Sequence, residues 1–178
     1  MNKEQFWKLI EKAREHVPDT RDGSDIACRA SALLARRSAQ EITTAQQTLW
    51  DLMADSYQNP LWAAAYVVNG GCSDDGFDYF RGWLIAQGRS IYERVVADPD
   101  TLAELPGVLT AVAEGTDLDC EDMLCVAWNA HQKATGRELP ADAFTIRYPD
   151  LDPAWKFNFD DREEMARRLP ALTALYSY

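Results

Sequence analysis

Metal-binding and nucleophilic side chains are scarce in this chain. It has two histidines, His16 and His131, and four cysteines, none in a C-x-x-C pair. Zinc centres draw on Cys and His clustered at short spacing, so a metal site is not expected. Cys120 and Cys125 do not share a helix face, and neither do Cys125 and His131, which argues against a thiolate–imidazole pair. Cations are scarce too. Lys and Arg number 18 against 29 Asp and Glu, a net charge of −11. Residues 90–178 carry −9 of that charge, with 8 basic and 17 acidic side chains. The basic footprint that neutralises phosphates is missing, so direct binding to nucleic acid or to an anionic membrane is not expected. No apolar run reaches the roughly 20 residues that span a bilayer. The opening MNKEQFWKLIEKAREH reads as an amphipathic helix, not a signal peptide. G-x-S-x-G, G-x-x-x-x-G-K, H-E-x-x-H and the dinucleotide fingerprint are all absent. The expectation is a cytoplasmic protein with reduced thiols, no metal or other cofactor, and no catalytic residue.

What is present is a well-cored composition. Of 178 residues, 47% are hydrophobic and six are Trp. One domain covering 1–178 is expected, burying roughly two-thirds of its unfolded surface. The periodicity is helical. Asn2 with Gln5 and Ser38 with Glu41 form capping boxes ahead of helices over about 3–16 and 39–57. A helix over about 24–37 lies between them, after a Pro18–Gly23 turn. Asn59-Pro60 opens a short apolar helix that stops at Asn69-Gly70-Gly71. Further helices are expected from Ser90 to Asp98-Pro99, as one or two short helices over Thr101–Glu114 broken at Pro106-Gly107, from the acidic run Asp117–Asp122 to Gly136, and from Asp160 to about Leu169, after which Leu172, Leu175 and Tyr176 dock a final turn. Asp117, Asp119, Glu121 and Asp122 lack the EF-hand spacing and read as first-turn acids. Residues 137–159 are rich in Pro and aromatics and read as a long loop over the helical body. Phe144–Tyr148 is a short extended piece without an evident partner strand. Loops of this length are uncommon in compact domains and often functional. The fold class is therefore all-α, with about eight helices around a central buried aromatic one.

That central helix is the stretch GGCSDDGFDYFRGWLIAQG, residues 70–88. Ser73 stands at its N-cap, Asp74 and Asp75 in its first turn, and Gly88 at its end. Phe77, Phe80 and Leu84 share one stripe, and Trp83 flanks it. Asp78 and Arg81 are three apart and face each other, with Asp74 one turn before Asp78. An unpaired buried ion costs several kcal/mol, so the spacing predicts an Asp74, Asp78, Arg81 cluster. The same run, with Phe6-Trp7 upstream and the Glu121-Asp122 helix downstream, resembles the bacterial domain-of-unknown-function family numbered four-two-four-zero. The resemblance implies a bacterial protein and carries over no catalytic residue.

Two functional readings stand at this point. The first is a non-catalytic binding or regulatory module whose acidic surface engages a protein partner. The second is an enzyme or small-ligand sensor with a pocket at the cluster. There Asp74, Asp75 and Asp78 are candidate acid, base or cation-holding groups, and Arg81 is an anion anchor. Tyr79, Trp83 and Trp155 are candidate stacking walls for a planar ligand. The same rings and charges also serve as packing and register devices.

Overall fold

Several helices of the computed structural model begin where a local signal places them; the structure describes residues 1–17, 19, 21 and 23–176. The expected Pro18–Gly23 turn lies largely outside the described residues. In chain order the helices are α1 (Lys3–Arg14), α2 (Gly23–Leu34), α3 (Ala39–Asp55), α4 (Asn59–Val68), α5 (Asp74–Ala86), α6 (Arg89–Ala97), α7 (Pro106–Glu114), α8 (Glu121–Leu124), α9 (Val126–Thr135), α10 (Arg162–Arg168) and α11 (Pro170–Leu175), with short 3-10 turns at Pro99–Glu104 and Pro153–Trp155. No strand occurs among the described residues, so the all-α expectation holds. One expected helix is broken in two: the one after the acidic run pauses at Cys125. The helix after Asp160 ends at Arg168 as expected and the final turn is α11, opened by Pro170, but its N-cap is Asp161, which accepts from the Glu164 amide, rather than Asp160.

Both capping boxes form. The Asn2 side chain accepts from the Gln5 amide and that of Ser38 from the Glu41 amide, and each N3 side chain reaches back. Ser73 Oγ likewise accepts from the Gly76 amide at 3.1 Å and starts α5. Asn59 departs from expectation. Gln58 is the N-cap of α4, and the Asn59 amide is turned outward to the carbonyl of Asp152 at 2.8 Å.

Helix α5 packs against α2, α3, α4, α6 and α8. Phe77, Phe80, Leu84 and Ile85 are fully buried, each contributing about 1.5–3 kcal/mol by leaving water. The side toward α8 needs Gly82. A Cβ there would stand 2.4 Å from the carbonyl oxygen of Cys120. That close approach lets the Cys120 amide donate to the Tyr79 carbonyl at 2.9 Å. At its C-terminal end α5 receives Arg14, whose Nη1 donates to the Ala86 carbonyl at 2.5 Å. The chain then turns through Gly88 at φ +90°, a conformation that favours glycine. One continuous core runs through the helices from Phe6 to Leu172. No described helix is long and apolar enough to cross a membrane.

Candidate functional site

Arg81 is completely buried in the third turn of α5. Its Nε donates to the Phe77 carbonyl at 3.3 Å, its Nη1 to the Met53 carbonyl at the end of α3, and its Nη2 to the Asp78 carboxylate. The guanidinium carbon lies 4.5 Å from the Phe77 ring centroid and 5.2 Å from that of Tyr57. Phe77 in turn stacks on Trp62 at 4.8 Å. The cation is thus held between aromatic faces and bonded along its edge. Burial lowers its pKa, and the attraction of Asp78 opposes that shift; arginine remains charged all the same. Burial also pushes the Asp78 carboxyl above its ordinary range, against the pull of Arg81.

The expected three-membered cluster is not what forms. Asp74 is exposed, and the second acceptor for Arg81 is the Met53 carbonyl. The reason is axial distance: seven residues along a helix separate Asp74 from Arg81 by about 10 Å. Asp75 is exposed as well. The three candidate rings go to three places. Trp83 lies in the core beside Phe80 at 5.7 Å. Tyr79 faces α8, where the Glu121 carboxylate raises its pKa. Trp155 lies against Arg168, whose guanidinium carbon is 4.5 Å from its ring, and beside Phe157. No ring contact joins the three among the described residues.

Residues that the sequence pattern did not single out complete the region. Tyr148 sets its ring edge-on to Tyr57 at 5.0 Å. Burial raises the pKa of its phenol, and the charge of the nearby Asp78 carboxylate adds to that shift. Tyr148 belongs to a stretch without regular secondary structure, residues 143–152, laid across α3 and the start of α4. Gln47 of α3 reads its backbone twice. Gln47 Oε1 accepts from the Thr145 amide at 2.8 Å, and Nε2 donates to the Thr145 carbonyl at 3.2 Å. Gln47 Nε2 also donates to Asp51 at 3.0 Å, and Asp51 accepts from Arg147 at 3.2 Å. The Asn59–Asp152 bond closes the far end. The partner that the Phe144–Tyr148 piece lacked in sequence is a side-chain amide rather than a strand. The Gln47–Asp51 spacing of four was the one local signal, and it is common on any helix surface.

Two clefts open elsewhere. One of about 610 Å³ lies over Trp7 and Tyr92, and one of about 760 Å³ lies between Tyr66, Val112, Phe159 and Met165. Neither is lined by Asp74, Asp78 or Arg81. His131 is buried, with Nδ1 at 2.9 Å from the Arg137 carbonyl. The described residues contain no group of three His, Cys, Asp or Glu placed to hold a metal ion.

The sequence model of the family described as "Protein of unknown function (DUF4240)" matches residues 1–133. No curated protein and no solved structure matches. Gln47, Asp51, Met53, Tyr57, Asn59, Asp78 and Arg81 all fall within the matched span, and residues 143–152 fall beyond it.

Proposed function

The chain belongs to the DUF4240 family, and from that premise we propose that it is a non-catalytic binding module that works through protein contacts. The observation that carries this reading is the double hydrogen bond from Gln47 to the backbone of Thr145. A side-chain amide that satisfies both the N–H and the C=O of one extended residue recognises main chain independently of sequence. Neighbouring niches then select side chains, as in the recognition of extended peptides at sheet edges. Here the niches are the Asp51 carboxylate for a cation and the Tyr57–Asp78 corner for an aromatic ring. The excess of carboxylates over the whole chain favours a basic partner.

The catalytic or sensor reading draws less support. Arg81 has no exposed surface, and each of its three nitrogens donates within the fold. It offers no anchor to a ligand unless the body opens.

The test is a panel of immobilised extended peptides, with and without Arg–aromatic pairs, probed with the full-length protein. Saturable binding that weakens with salt and disappears in Gln47→Ala is expected. No peptide binding, together with a small molecule whose thermal stabilisation vanishes in Asp78→Asn, overturns the proposal in favour of the sensor.

A further inference from the structure

Residues 143–152 sit on the helical body as a bound peptide would. Among the described residues, 144–151 make no backbone–backbone hydrogen bond. What holds them comes from the body's side chains: Gln47 on Thr145, Asp51 on Arg147, Tyr57 on the Tyr148 ring, and Asn59 on the Asp152 carbonyl. Ile146 and Tyr148 remain 43% and 56% exposed, and the Arg147 side chain is also largely in water, although its partner Asp51 is mostly covered. Such a segment belongs to the easily opened end of a protein's stability range, because few buried contacts oppose its release. The surface beneath it is more firmly built. Tyr57 and Asp78 are fixed by the buried Arg81, and Gln47 and Asp51 stand on α3, a helix of 17 residues.

We propose that residues 143–152 are a built-in plug on a peptide-binding groove, displaced by a partner's extended segment that carries the same Arg–aromatic pair as Arg147-Tyr148. This inference rests on the binding reading above and adds the partner's chemistry and its regulation. The body accounts for the pair. The cation meets Asp51, the ring meets Tyr57 near the Asp78 charge, and Thr145, two residues before the Arg, lends its backbone to Gln47. Tethering gives the plug an effective concentration on the order of millimolar, so it masks the groove from weak competitors. A partner's apparent affinity is reduced by the fraction of molecules in which the groove is open. The groove lies within the part of the chain that matches the family, and the plug lies outside it.

The experiment uses a fluorescent peptide with the sequence of residues 142–152, titrated into three full-length proteins: wild type, the Arg147→Ala/Tyr148→Ala variant, and that variant with Gln47→Ala added. Both plug side chains are largely exposed, so the double variant should keep its helical signal and melting temperature. Binding at least about tenfold tighter to the double variant than to wild type, and lost on adding Gln47→Ala, is the expected result. A peptide with alanine in place of its own Arg and Tyr should bind neither protein. Equal affinity for wild type and the double variant overturns the plug and leaves the peptide-binding reading standing. No binding to any of the proteins overturns both.

Discussion

Arg81 donates to the Asp78 carboxylate one turn back on the same helix, and its guanidinium also donates to the Met53 carbonyl on a different helix. One fully buried cation therefore fixes the register of α5 against the end of α3. The same ion pair supports the ring of Tyr57 and the carboxylate under Tyr148.

Arg81→Ala should be severe. It leaves a half-buried Asp78 without its counter-ion and the Met53 carbonyl without a donor, a loss of about 3–5 kcal/mol. At roughly 2–4 °C per kcal/mol for a chain of this size, the melting temperature should fall by on the order of 10 °C. Asp78→Asn keeps an acceptor oxygen but leaves the fully buried Arg81 cation without its counter-charge, and should also cost about 3–5 kcal/mol. Chemical denaturation of both variants checks this, and an Arg81→Ala protein as stable as wild type would contradict the burial.

Gly82→Ala should destabilise even though alanine is the better helix former. The gain in helix propensity is about 1 kcal/mol at most. Against it stands a Cβ placed 2.4 Å from the Cys120 carbonyl oxygen, a backbone atom tied to α5 by the Cys120–Tyr79 bond. Overpacking of this kind costs about 1–3 kcal/mol. The net sign is therefore expected to be unfavourable, with slower-exchanging amides around residues 118–125 becoming faster in hydrogen-exchange measurements.

The C-terminal aromatics should loosen in acid. Hydrogen bonds from Arg167 and Arg168 hold the Glu164 carboxyl down at about 2. Arg168 in turn covers Trp155 and Phe157 and donates to the Ala154 carbonyl at 2.9 Å. A carboxyl whose folded pKa is depressed contributes stability that is complete above its ordinary value of 4.5 and declines as pH falls toward 2. The indole N–H resonance of Trp155 should shift and broaden across that window. Glu164→Gln should already show the loosened signal at neutral pH and little further change on acidification. An identical acid response in both proteins would remove Glu164 from the account.

Local signals in the chain carried the helices. The Asn2 and Ser38 capping boxes, the Ser73 cap, the stop at Gly88 and the stripe of Phe77, Phe80 and Leu84 all act within a turn or two, so they are legible without a fold. The pairing of Asp78 with Arg81 belongs to the same class, being an i, i+3 contact. Asp74 shares that face but stands too far along the helix axis to reach Arg81. The partners that complete the region were settled only by tertiary structure. Met53 is 28 residues from Arg81, and Thr145 is 98 from Gln47. Such contacts depend on how whole helices cross and where a long loop is led back, which no local spacing records. Trp83, Tyr79 and Trp155 were sent to three different surroundings for the same reason. Composition makes a ring seek cover, and only the packed chain decides against what.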